Sequence, residues 1–171
     1  MSPWHPITFF SLCEHFVLAG GACYLYVNNI DRNKGDTDMT NSNFTYNDGG
    51  RAASGRKGTA GDCGVRAMAI ALGLDYDACY KELAQANKDN GRAKSVRSGI
   101  MKDVYAAVLN RYGWAWHSAP KFDGRKARCS DMPAGTVIAR QSRHFVAVMN
   151  GEPQDIFDSS EKMVYGYWAK A

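Results

Sequence analysis

The spacing of apolar residues changes once along this chain, at Gly113, and that change limits the fold more than any other feature. Upstream, Tyr76, Cys79, Tyr80, Leu83 and Ala84 recur at intervals of three and four, the spacing of one helix face. Met101, Val104, Tyr105, Val108, Leu109 and Tyr112 repeat it. This predicts helices over 76–86 and 98–112, the second stopped by Gly113. An earlier helix is predicted over 63–72, with Asp62 as its N-cap and Gly73 as its stop. Downstream, residues 114–117, 136–141, 144–149, 154–157 and 164–168 read as short strands bounded by Pro, Gly, Asn or Ser. Asn150-Gly151 is a hairpin signal between two of them. Helices followed by an antiparallel sheet make an α+β domain.

A chain of 171 residues has room for one such domain. Residues 7–27 are apolar, but Glu14 and His15 interrupt them, and the opening MSPWHP has no Lys or Arg. The segment therefore makes a poor signal peptide or membrane anchor, and membrane contact is expected only if it inserts. A core element packed on the domain is a second reading. The third, preferred here, treats residues 1–38 as an extension upstream of a start at Met39. Residues 39–61 are then a polar arm, and 62–171 the folded domain. Residues 39–171 hold 19 basic and 13 acidic side chains, a net of +6 against +4 for the whole chain. That is too little to argue for a nucleic-acid partner. The five cysteines are irregularly spaced with no CxxC pair, which argues against a structural zinc site and for free thiols in a reducing compartment, the cytoplasm.

Two residues carry the chemistry. Cys63, within Gly61-Asp62-Cys63-Gly64, opens a predicted helix, whose N-terminal partial charge stabilises a thiolate. Its backbone N–H lacks an intrahelical partner and can face an oxyanion. Taken alone, a cysteine in an Ala-rich helix is more often a small buried hydrophobe. His144 opens the strand His144-Phe145-Val146-Ala147-Val148-Met149. Asp155 and Asp158 follow across the hairpin, and a carboxylate on the far ring nitrogen would fix the imidazole tautomer. If Met149 pairs with Glu152, His144 faces Phe157 and Asp155 shares its face. A bulge at Pro153 reverses that parity, so pairing leaves both aspartates open.

The order of a cysteine opening a helix, a histidine opening a strand and an aspartate ending the next resembles the papain-like cysteine peptidases, over about residues 59–168. The runs Tyr46-Asn47-Asp48-Gly49-Gly50-Arg51-Ala52-Ala53, Ala60-Gly61-Asp62-Cys63-Gly64-Val65-Arg66-Ala67, Ser142-Arg143-His144-Phe145-Val146-Ala147-Val148 and Val164-Tyr165-Gly166-Tyr167-Trp168 are similar to a family of small papain-like proteins of bacteria and their phages. Members of that family often start shortly before the segment matched by Asn47-Asp48-Gly49-Gly50, which is the reason for preferring Met39 as the start. The resemblance implies a papain-like fold, with Cys63 as nucleophile, His144 as base and then acid, and an aspartate as orienter. Branches of the fold that use aspartate tend to end a strand with it before Pro or Ser. Phe157-Asp158-Ser159 fits that habit, which favours Asp158, with Asp155 as the alternative. Papain itself carries Gln six residues before the nucleophile, where this chain has Lys57. The oxyanion hole is then expected from the Cys63 N–H with Thr59, another backbone N–H, or Lys57.

The expected function is a cysteine hydrolase, a peptidase or isopeptidase/amidase, acting on a protein or peptide through a thioester. It would need no cofactor and no metal. An acyltransferase with the same triad, or an inactive inhibitor or adaptor on the same scaffold, are its rivals. Arg66 and Arg143 are read first as surface or fold-stabilising residues and second as clamps for an acidic substrate. Trp114, Trp116 and His117 are read as core or rim packing. The run Lys121, Arg125, Lys126, Arg128 is read as a solvated face. Cys79 is expected in the core and Cys129 in an exposed loop.

Overall fold

The computed structural model describes residues 43–57, 61–92 and 95–171; residues 1–42, including the extension and the proposed start at Met39, lie outside them. The described chain is α+β. Its helices are α1 (Cys63–Leu72), α2 (Tyr76–Asp89) and α3 (Lys102–Arg111). Its strands are β1 (Thr45–Tyr46), β2 (Trp114–Ser118), β3 (Thr136–Gln141), β4 (His144–Met149), β5 (Glu152–Asp155) and β6 (Val164–Lys170). They form one sheet in the order β1-β5-β4-β3-β6-β2. All neighbours are antiparallel except β1 and β5, which run parallel. The sheet is therefore mixed. The departure from the expected antiparallel sheet comes from a two-residue edge strand inside the supposed polar arm, too short to carry a periodic signal.

Helix periodicity reads through to burial. Tyr76, Cys79 and Leu83 of α2 and Val104, Tyr105, Val108 and Leu109 of α3 form one core with α1 and with Ile138, Phe145 and Trp168 of the sheet. The third predicted helix starts late. Val96–Ser98 is a short 3₁₀ turn, and Gly99 at φ 96° ends it before α3 can begin. Met101 consequently stands outside the helix, 53% exposed. On the opposite face of the sheet, Val137, Ala139, Val146 and Val148 pack with Ala127, Cys129 and Met132 of the β2–β3 connection. Both faces of β4 are covered, which explains its unbroken apolar run. The expectation that Cys129 is exposed is corrected: it is fully buried, because the loop around it is the second cover of the sheet.

One tight turn sets the register of the hairpin that carries His144. Asn150 and Gly151, at φ 51° and 86°, make the two-residue turn that pairs Met149 with Glu152 and Val148 with Pro153. No bulge intervenes at Pro153. At the other end of the sheet, Gly166 lets Trp116 lie across β6. A Cβ at Gly166 would sit 2.3 Å from the Trp116 ring and 2.6 Å from the His117 carbonyl oxygen. Gly166→Ala should lower stability by about 1–3 kcal/mol through overpacking. Gly124→Ala, with a φ of 73° but open space around it, should cost only the left-handed strain of about 1–2 kcal/mol. Urea midpoints of the two variants check the order.

Candidate active site

Asp62 stands at the N-cap of α1, but its backbone (φ −95°, ψ 22°) lacks the extended conformation that turns a side chain onto the helix N–H groups, and it makes no capping bond. The expected cap is thus absent. The carboxylate, 1% exposed, accepts instead from the Tyr76 hydroxyl at 2.5 Å and from Arg66 Nη1, and is ion-paired with Arg51, whose Nε lies 2.7 Å away. The Asp62 carbonyl takes the N–H groups of Val65 and Arg66. Cys63 N–H lies in the first turn, where no helical carbonyl stands four residues back. The first turn is held in place from two sides. Tyr105 donates its hydroxyl to the Gly64 carbonyl at 2.8 Å. A Cβ at Gly64 would meet Ile100 Cγ2 at 2.9 Å.

His144 is the first residue of β4. Its Nε2 lies 2.5 Å from Asp155 Oδ2, which leaves the other ring nitrogen for the Cys63 thiol, and the thiol and the imidazole each favour the other's charged form. Asp155 ends β5 and is 3% exposed. Its Oδ1 accepts from its neighbour Ile156 N–H at 2.8 Å and lies 3.5 Å from Arg66 Nη2. The Phe157 ring centroid is 5.1 Å from that of His144, as the unbulged hairpin requires. The preference for Asp158 is corrected by this register. Asp158 is exposed, three residues beyond the end of β5, and accepts from the Ser160 N–H at 2.9 Å in its own turn.

These contacts set the charges. Burial pushes the Cys63 thiol up, but the His144 hydrogen bond and charge, a bond from the Phe145 backbone and the Arg66 charge together bring it below its ordinary value. Burial pulls His144 down, but hydrogen bonds to Asp155 and Cys63 and the charges of both raise it to about 9. Burial alone governs the other described thiols in the main, lifting Cys79 and Cys129 to about 12. The three form no disulfide. The arrangement can hold a thiolate beside an imidazolium, and deliver and recover one proton.

Of the oxyanion candidates, the Cys63 N–H is in the first turn as expected, and Thr59 lies outside the described residues. Lys57 is exposed, and its carbonyl accepts long bonds from Arg51 and Arg97, each 3.4 Å. Sequence reasoning missed the structural weight of Arg51, Asp62 and Arg66. Only the i, i+4 spacing of Asp62 and Arg66 signalled any of it. Arg66 is buried and ion-paired, the fold-stabilising branch of its reading rather than the surface one. Trp114 and Trp116 pack on the core as read. Arg125 and Arg128 pair with Asp131 and Glu161. Among the described residues, no group of three or more His, Cys, Asp or Glu is arranged to hold a metal ion. No helix there is long and apolar enough to cross a membrane. No protein-family model, curated protein or solved structure matches this chain.

At pH 6, iodoacetamide should alkylate Cys63 at least about tenfold faster than Cys79 or Cys129, since the thiolate is the nucleophile. His144→Ala and Asp155→Asn should each slow Cys63, and Asp158→Asn should not; peptide mapping by mass spectrometry reads all three. Asp62→Asn leaves two arginines at a buried site without their counter-charge, and should cost about 3–5 kcal/mol in urea unfolding. Tyr76→Phe should cost about 1 kcal/mol.

Proposed function

We propose that this protein is a cysteine hydrolase, a peptidase or isopeptidase/amidase of papain-like architecture. The observation that carries the reading is the sequence of contacts from the Cys63 thiol to His144 and on to Asp155, with the thiol held below its ordinary pKa inside a partly buried site. A perturbed nucleophile beside a base that is itself oriented by a buried carboxylate is the arrangement that acyl transfer needs.

In this reading Cys63 sulfur attacks the scissile carbonyl, and the developing oxyanion is met by the Cys63 N–H at the start of α1. His144, protonated in the resting pair, gives its proton to the leaving amine. It then takes one from the water that cleaves the thioester, and the thiol is regenerated. Asp155 keeps the imidazole oriented and supports its charge. The protein would act on a protein or peptide, in a reducing compartment that leaves its thiols free.

Two outcomes test the proposal. p-Nitrophenyl acetate should release a burst of nitrophenol equivalent to the enzyme, with the acetyl group on Cys63, and Cys63→Ala should abolish it. Hydrolysis of a quenched-fluorescent peptide library should be bell-shaped in pH. The acid limb lies where Cys63 gains its proton, below the ordinary thiol value. The basic limb lies near 9, where His144 loses the proton it gives to the leaving group. No burst, with a Cys63 titration unchanged by His144→Ala, would mean that the scaffold binds rather than cleaves.

A further inference from the structure

A cleft of about 780 Å³ opens beside His144. Its floor is apolar: Ile100, Met101 and Phe145 line it. Ile100 also packs against Gly64, the residue after Cys63, so the apolar lining reaches the first turn of α1. Its rim is cationic. Arg92, Lys102, Arg140 and Arg143 all line the cleft, and among the described residues no Asp or Glu does.

Three of these four charges are not spent on a carboxylate among the described residues. Arg92 reaches Asp103 at 3.0 Å, in a pair open to solvent. Among the described residues, the other three have no carboxylate partner. Lys102 and Arg140 lie over aromatic rings, 3.5 Å from the Trp116 centroid and 5.5 Å from that of Tyr165. Those contacts orient the cations without neutralising them. Arg143 precedes His144 in the two-residue β3–β4 turn at φ 55°, the left-handed region where glycine or asparagine is the easy choice. The turn itself gives no reason for an arginine there. Away from the cleft, Arg97 bonds only a backbone carbonyl, but most described arginines are neutralised. Arg51, Arg56, Arg66, Arg111, Arg125 and Arg128 each pair with a carboxylate. Lys102, Arg140 and Arg143, none with a carboxylate partner among the described residues, thus stand around one cleft.

We infer that the cleft beside His144 takes an acidic peptide segment, with an apolar side chain on the Ile100–Met101–Phe145 floor and flanking carboxylates on Lys102, Arg140 and Arg143. An apolar floor with a charged rim gives affinity through burial and selects by charge. The stacked, aromatic-rich surface that single-stranded nucleic acid requires is not what this floor offers. The substrate class follows: a peptide or protein tail with aspartate or glutamate beside the scissile amide. This rests on the hydrolase reading only for the cleavage step, and binding can be tested apart from it.

The full-length chain carrying Cys63→Ala is titrated, by fluorescence anisotropy, with a fluorescein-labelled peptide of one leucine flanked by glutamates, and with its glutamine counterpart. The acidic peptide should bind at least about tenfold tighter, or about 1.4 kcal/mol, and the gap should shrink as salt rises. Arg140→Gln with Arg143→Gln should bring the two affinities together, while Arg125→Gln, at the basic loop, should leave the gap. Equal binding of both peptides, or tighter binding of a labelled oligonucleotide than of the acidic peptide, overturns the inference. In parallel, the intact chain is offered both peptides as quenched-fluorescent substrates. Cleavage of neither, alongside selective binding of the acidic one, would sink the hydrolase reading and leave the acidic-peptide site standing. Cleavage of both at equal kcat/KM would do the reverse.

Discussion

One buried carboxylate organises this structure. Asp62 closes the loop of residues 47–51 onto α1 through Arg51, ties α1 to α2 through Tyr76, and fixes Arg66 within its own helix. Arg66 then extends the network to Asp155. Charges buried this deeply persist only when each has its partner. The cost of desolvating Asp62 is met by three partners, two cations and a hydroxyl, brought from three different segments. The start of α1 cannot shift without breaking one of them, and the thiol sits at that start.

The same network explains how a thiol that is half-buried is also easy to ionise. Burial opposes the thiolate at Cys63 just as it does at Cys79 and Cys129. What differs is the company: a histidine whose positive form is supported by a carboxylate, a backbone donor and a nearby arginine. At Cys79 the nearby groups are acidic, and at Cys129 the Gln141 hydrogen bond is too small to compensate. Three cysteines in one protein thus separate by their neighbours rather than by their depth.

Much of this was legible before any coordinates. The change of period at Gly113 gives the helix and strand halves, and Asn150-Gly151 gives the hairpin. Cys63 and His144 stand out because each opens an element, where backbone groups are unpaired. The choice of aspartate was legible only as a fork. Whether Pro153 sits in a bulge depends on packing against β4, and local preference at a proline supports either outcome. Pairing chose the unbulged branch, and with it Asp155. The habit of aspartate before serine led toward Asp158, whose position in the chain suits a turn of its own equally well. Arg51 and Arg66 were hidden for a different reason. A buried arginine looks like a surface one in sequence, because what distinguishes them is the arrival of a distant carboxylate.

His144 and Asp155 are 11 residues apart on one hairpin, whereas Cys63 comes from the other half of the chain. During synthesis the cysteine leaves the ribosome well before the hairpin exists. Until β4 docks on α1, the thiol has neither the imidazole nor the Phe145 backbone bond that lower its pKa, and it behaves as an ordinary side chain. The lowered pKa of Cys63 is therefore a product of tertiary structure, present only once the two halves of the chain have met. An incomplete or half-folded copy carries the cysteine with an ordinary thiol, and the growing chain does not expose a thiolate.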